Sequence, residues 1–190
     1  MADFAIRDAR QDDVAQIAAI YADAVEHGTA TYELEPPGEA EMSKRFNALT
    51  ADAFPFLVAA QDERLLGYAY AGPFRARPAY RFIVEDSVYV APDAKGAGVG
   101  KALMLALIEA CRAKGFRQLV AVIGDGAPQS PSVILHERLG FSHSGVLRGS
   151  GYKHGRWLDT AFMQLAMNGG DGPAPDPDSV PERRFQAAKR

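Results

Sequence analysis

The sequence predicts an α/β domain of the α+β kind, with a mixed, mostly antiparallel central sheet flanked by helices. Three observations lead there. Apolar runs at 55–61 and 65–72 are separated only by Asp62-Glu63-Arg64, the pattern of an antiparallel hairpin. Longer segments before and after them carry apolar residues at helical spacing. The uninterrupted run from Leu119 to Ile123 reads as a central strand covered on both faces.

In chain order, residues 4–7 form a first strand, and Asp12 or Asp13 caps a helix whose apolar face is Val14, Ile17, Ile20, Tyr21, Ala24 and Val25. Gly28 stops it. An irregular link through Tyr32 and Glu33 leads to Pro36-Pro37 and a weaker helix at 38–50, with Met42, Phe46 and Leu49 at helical spacing. After the hairpin, a loop at 72–80 sets Arg75 and Arg77 on either side of Ala76, with Pro73 and Pro78 restricting the backbone. Residues 81–90 read as a strand in which Glu85, Ser87 and Tyr89 share one face and Asp86, Val88 and Val90 the other. A glycine-rich loop, Lys95-Gly96-Ala97-Gly98-Val99-Gly100-Lys101, opens a helix at 99–113 that is apolar on most of its circumference and capped by Gly115. Ser130-Pro131 is an N-cap followed by proline at the first helical position, starting a short helix that carries His136 and ends at Gly140. Residues 142–148 and 159–167 read as the last strands. Beyond 167 the composition turns to Gly, Pro and Asp and then to charge. A single domain over 1–167 followed by a disordered tail at 168–190 is the expectation.

Composition narrows the function. The chain has 190 residues, 47% of them hydrophobic, and a net charge of −3. No dense Lys/Arg run is present, which argues against nucleic acid or an anionic membrane surface as partner. Cys111, the single cysteine, excludes an intrachain disulfide and sits in an apolar helix where packing is its expected role. Met1-Ala2-Asp3-Phe4 is not a basic leader and no segment reaches membrane-spanning length, so a cytoplasmic location is expected.

The chemistry concentrates around the glycine loop. Three glycines before a helix N-terminus let backbone N–H groups approach a bulky anion, and the helix adds partial positive charge. By spacing alone the loop either binds an anion or joins two elements tightly. It is not a P-loop, since Ala102 follows Lys101, and Gly100 falls at the wrong spacing for a dinucleotide fingerprint. Arg75 and Arg77 are either a solvated basic turn or a clamp for a carboxylate or an oxyanion. Of the two neighbouring carboxylates, Glu85 is the better candidate for proton transfer. His136 reads equally as a packed or a functional histidine.

Lys95, Gly98 and Gly100 between a strand and a long helix resemble the acetyl-CoA loop of the GNAT superfamily of N-acetyltransferases, with Lys95 where Arg or Gln is usual. Four further segments are similar to the phosphinothricin and methionine sulfoximine N-acetyltransferase branch. These are Arg77-Pro78-Ala79-Tyr80 leading to Val84-Glu85, Val120-Ala121-Val122-Ile123-Gly124, Ser132 through His136 to Phe141, and Gly151-Tyr152-Lys153-His154-Gly155 with Trp157 and Asp159.

The resemblance implies a GNAT-type sheet and Glu85 as general base. Val88, Tyr89, Val90, Lys95, Gly96, Ala97, Gly98, Val99, Gly100 and Lys101 would contact acetyl-CoA, with Gln129, in place of the usual Asn, beside its pantetheine arm. Arg75, Ala76, Arg77, Glu85, Asp86, Ser87 and Tyr32 would meet the acceptor. His136 stands where relatives outside the branch carry a tyrosine acid. Also implied are acetyl-CoA as co-substrate with no metal, a small amino-acid-like acceptor and a homodimer. The alternatives are transfer to another amine, such as a peptide N-terminus or a polyamine, and a non-catalytic acyl-CoA-binding module.

Overall fold

The computed structural model describes residues 4–189. In chain order its elements are β1 (Ala5–Asp8), α1 (Val14–His27), α2 (Glu39–Ala51), β2 (Phe56–Gln61), β3 (Arg64–Pro73), β4 (Ile83–Val90), α3 (Val99–Ala113), β5 (Gln118–Gly124), α4 (Pro131–Arg138), β6 (Ser142–Lys153), β7 (Arg156–Ala166) and α5 (Val180–Ala187). They build one seven-stranded sheet in the order β1-β2-β3-β4-β5-β7-β6. All neighbours are antiparallel except β4 and β5. A parallel pair needs a crossover, and the glycine loop with α3 supplies it. The mixed, mostly antiparallel sheet expected from the sequence is the one observed.

Strand alternation decides which helices meet which face. On one face, Tyr68 and Tyr70 stack with Phe56, and Phe56 meets Phe46 of α2 edge-on at 5.2 Å. Tyr89 meets Tyr21 of α1 at 5.0 Å on that side. On the other face Gly67 leaves room for α3, since a Cβ there would stand 3.2 Å from Leu103. Val99, Leu103, Met104, Leu107 and Cys111 bury one flank of α3 in the core.

Three expectations change. Asp13 occupies the position before α1 but does not cap it, because its carboxylate takes both terminal nitrogens of Arg7 (2.7 and 2.8 Å) and the Arg10 N–H. The last two strands run on through the glycine-rich stretch at 149–155 and meet in a tight turn at His154 and Gly155, both with positive φ. Register shifts at 143/145 and 147/151 let the glycines stay in an edge strand.

The third change concerns the segment at 168–190, which is not disordered over its described residues. Arg117 donates to the carbonyls of Pro173 and Ala174, the Val180 N–H bonds Lys114 O at 3.0 Å, and α5 follows. Gly115 makes that approach possible, since a Cβ there would lie 2.5 Å from Ser179. Composition shows that the segment has no core of its own, but it docks on one already built. Among the described residues no helix is long and apolar enough to cross a membrane.

Candidate active site

The site exists because the sheet splits. β4 and β5 pair only from Ile83 with Gln118 to Asp86 with Ala121. Past that point β4 stays with β3 and β5 stays with β7, which leaves a cleft between 87–90 and 122–124. Ala91 donates to Leu66 O at 2.9 Å. By the alternation of an antiparallel ladder, Val88 and Val90 therefore turn their N–H groups away from β3 and toward the opening.

Two connected cavities follow the split. The larger, about 700 Å³, is bounded by Val88, Tyr89, Val90, Lys95, Gly100 and Gln129. The smaller, about 270 Å³, is bounded by Tyr32, Tyr70, Glu85, Asp86, Ser87 and His136. Val88, Tyr89, Gly124 and Ser132 line both, so a ligand in one can touch a ligand in the other.

The glycine loop closes the larger cavity's end. Gly96 and Gly98 have φ of +82° and +84°, a backbone region that other L residues seldom adopt, and a Cβ at either would meet nothing within 4 Å. The first intrahelical bond of α3 runs from the Ala102 N–H to Gly98 O, so the N–H groups of Val99, Gly100 and Lys101 are left for an outside acceptor. Unpaired N–H groups at a helix start, beside the exposed Lys95, suit a bulky anion such as a pyrophosphate. Only the backbone of Val99 is available to it, because the side chain is buried.

The two carboxylates of β4 differ in environment. Glu85 faces the α1 side, half-buried, with no hydrogen-bond partner among the described residues. Burial first, and then the charge of Asp86, push its pKa up to about 7 against the lowering influence of Arg75. Asp86 faces α4, where its Oδ2 lies 3.0 Å from His136 Nε2, and both side chains are all but excluded from solvent (3% and 2% exposed). His136 Nδ1 lies 2.7 Å from Ser132 O. A carbonyl only accepts, so Nδ1 carries a hydrogen, and the bond between Nε2 and Oδ2 then needs a second proton shared by the pair. Burial pulls the imidazole pKa down, but the Asp86 bond and charge and the Ser132 carbonyl outweigh it, and the net shift is upward. Both ring nitrogens are engaged, so His136 offers no free N–H to the cleft.

The link at 28–33 forms a wall of the smaller pocket and is fastened from outside. Lys153 Nζ donates to Thr31 O (2.9 Å), His154 Nε2 to Gly28 O (3.1 Å) and Thr29 Oγ1 to Asp125 (3.2 Å), while Tyr32 OH bonds Thr160 Oγ1 (2.8 Å). A Cβ at Gly151 would stand 2.6 Å from the Tyr32 ring, so that glycine is required for Tyr32 to lie down. The 151–155 stretch, legible only as a motif in the sequence, is thus a staple for the pocket wall.

Arg75, Ala76 and Arg77 are exposed and line neither cavity, although Arg75 is near enough to influence Glu85. Neither arginine has an ion-pair partner among the described residues. Cys111 lies fully buried, and burial pushes its thiol up to about 12, which disqualifies it as a nucleophile. Sequence reasoning missed Ser132 and the Asp125–Arg156 ion pair, both at the larger cavity; Ser132 sits one turn before His136, the spacing that would have pointed to it.

Residues 6–162 match the family description "acetyltransferase (GNAT) domain". A phosphinothricin N-acetyltransferase of Alcaligenes faecalis is 48% identical over 171 residues, 90% of this chain and 86% of the relative. An L-methionine sulfoximine/L-methionine sulfone acetyltransferase of Pseudomonas aeruginosa is 43% identical over 164 residues, 86% of this chain and 94% of that protein. Among solved structures, a GNAT superfamily phosphinothricin acetyltransferase from Sinorhizobium meliloti in complex with acetyl-CoA superposes with a TM-score of 0.90 at 47% identity, covering 94% of this chain and 96% of the other.

Proposed function

Because the chain belongs to the GNAT acetyltransferase family and is an acetyl-CoA-dependent N-acetyltransferase, we propose that its acceptor is a small amino acid bearing a tetrahedral polar group, of the phosphinothricin or methionine sulfoximine kind, acetylated on the α-amine. The observation that carries this reading is the unpartnered, half-buried Glu85 in a small pocket that opens directly onto the larger cleft. Relatives named for these two acceptors support it.

Acetyl-CoA supplies the activated acyl group as a thioester. Gly96 to Lys101 bind its pyrophosphate, Lys95 adds charge, and the Val88 and Val90 N–H groups face the thioester, where one donor on the developing oxyanion contributes about 3 kcal/mol. Glu85 accepts a proton from the acceptor's ammonium, directly or through water. The freed amine attacks the thioester carbonyl, the C–S bond breaks, and the nitrogen's second proton passes to the departing sulfur, so CoA leaves as the thiol. Asp86 and His136 pin α4 against β4 beside the smaller cavity. Arg75 and Arg77 take the acceptor's carboxylate and oxyanion groups, which disfavours a polycationic acceptor.

Thiol release from acetyl-CoA is expected to saturate with phosphinothricin, methionine sulfoximine and methionine sulfone, and to fail with a polyamine. Arg75→Ala and Arg77→Ala should each raise the acceptor KM by about tenfold, as loss of a charge-assisted contact predicts. Release with other amines alone would discard the acceptor class, and acetyl-CoA binding without any release would point to a binding module.

A second copy of the chain is the proposed partner. β6 is a sheet edge, and Leu147 (54% exposed) and Trp157 (69% exposed) present apolar surface beside it. Sedimentation should show a dimer that Trp157→Glu weakens. A monomer at all concentrations would refute it.

A further inference from the structure

The arginine loop at 74–80 is held from a part of the chain that lies outside the family match at 6–162. Its own contacts are few. Phe74 and Tyr80 touch edge-on across the neck with ring centroids 6.0 Å apart, and the Tyr80 N–H bonds Arg77 O. The residues between are exposed. The loop's downstream end is different. Arg81, the first residue after the short turn Pro78–Tyr80, donates through Nη1 to Pro78 O at 3.2 Å and through Nε to Glu182 Oε2 at 2.8 Å. Its guanidinium also lies over the rings of Phe82 (4.5 Å) and Phe185 (4.4 Å).

Glu182 and Phe185 belong to α5, which is anchored independently. Arg184 reaches Asp52 at 2.5 Å while lying over Phe54, and within the helix Gln186 orients Glu182 by holding its other oxygen at 2.7 Å. The Val180 N–H bonds Lys114 O. Through Arg81, the docked helix therefore grips the carbonyl of Pro78, next to Arg77.

We propose that α5 is a brace for the acceptor-binding loop, with Arg81, Glu182 and Phe185 as positioning residues that hold Arg75 and Arg77 in register with the Glu85 pocket. The proposal rests on the reading of Arg75 and Arg77 as the acceptor clamp. Ordering two flexible arginines before the acceptor arrives removes an entropy cost from binding, the general benefit of preorganisation. Neither Glu182 nor Phe185 lines either cavity, so the brace acts only through the arginine loop that it holds, and through that loop on the acceptor.

The test uses Glu182→Gln, Phe185→Ala and their combination in the full chain, with two readouts. One is the rate of tryptic cleavage at the Arg75–Ala76 bond, which needs no activity; the Arg77–Pro78 bond resists trypsin because proline follows it. The other is the pair of KM values for methionine sulfoximine and acetyl-CoA. The brace predicts faster cleavage at Arg75 and an acceptor KM raised roughly fivefold in the double variant, as loss of one charge-assisted bond and one stacked ring would give, with the acetyl-CoA KM unchanged. Unchanged cleavage, or equal shifts in both KM values, overturns the brace while leaving the clamp in place. An acceptor KM indifferent to Arg77→Ala overturns the clamp, and the brace's role in acceptor binding with it.

Discussion

Glu85→Gln should lower kcat/KM by about 10²- to 10⁴-fold, the contribution of a positioned general base, and should remove the acidic limb of the pH profile. Glu85 titrates at about 7, so the base is ionised above that pH and the parent's rate falls as pH drops below it. The same shift has a stability consequence of fixed sign. A carboxyl whose folded pKa is raised holds its proton more tightly when folded, so its contribution is greatest below its unfolded value and is lost as pH rises from about 4.5 through about 7. Glu85→Gln should therefore melt higher than the parent in mildly alkaline buffer, with the difference closing in acid. A glutamine variant with an unaltered profile of rate against pH would remove Glu85 from the base role.

The largest stability effect is expected at Asp86. Asp86→Ala strips a buried, hydrogen-bonded partner from His136 and should cost about 3–5 kcal/mol, the range for breaking a buried pair by removing one member. Asp86→Asn should cost only about 1 kcal/mol, because an amide N–H can still donate to Nε2 of a neutral imidazole. The pH dependence separates the two further. The folded His136 pKa is raised, so the parent's pair contributes fully below the ordinary imidazole value and loses that stability as pH rises through the folded one. Urea unfolding across that range should show a slope in the parent that Asp86→Asn flattens. Asp86→Ala as stable as the parent would mean that the pair does not hold α4 to β4.

Legibility in the sequence followed how local each feature is. The bounds that the sequence predicts for α3 match those observed, because its apolar spacing is continuous and it is flanked by Gly98 and Gly115, both with positive φ. The opposite facing of Glu85 and Asp86 also followed from strand alternation alone. That both carboxylates border one pocket did not, since it depends on β4 and β5 parting after Asp86 and Ala121. Likewise Asp86 and His136 are 50 residues apart, and nothing in either segment announces the other. The sequence makes the hairpin between β6 and β7 too short because Gly149 and Gly151 look like loop, whereas the irregular edge strand accommodates both; only His154 and Gly155 form the turn. For the segment carrying α5, the Gly-, Pro- and Asp-rich composition points to disorder, and the structure shows a docked helix instead. What composition could not show was the docking surface formed by Lys114, Arg117 and Arg81.

Direct acetyl transfer to an α-amine leaves its mark on where the acetyl group ends up. The protein is incubated with acetyl-CoA and methionine sulfoximine, and the acetylated species is identified by mass spectrometry alongside thiol release. One acetyl group is expected on the acceptor's α-nitrogen for each thiol released, with no acetylated protein when the acceptor is omitted. Acetyl found on the protein, or thiol release without an N-acetylated acceptor, would contradict direct transfer.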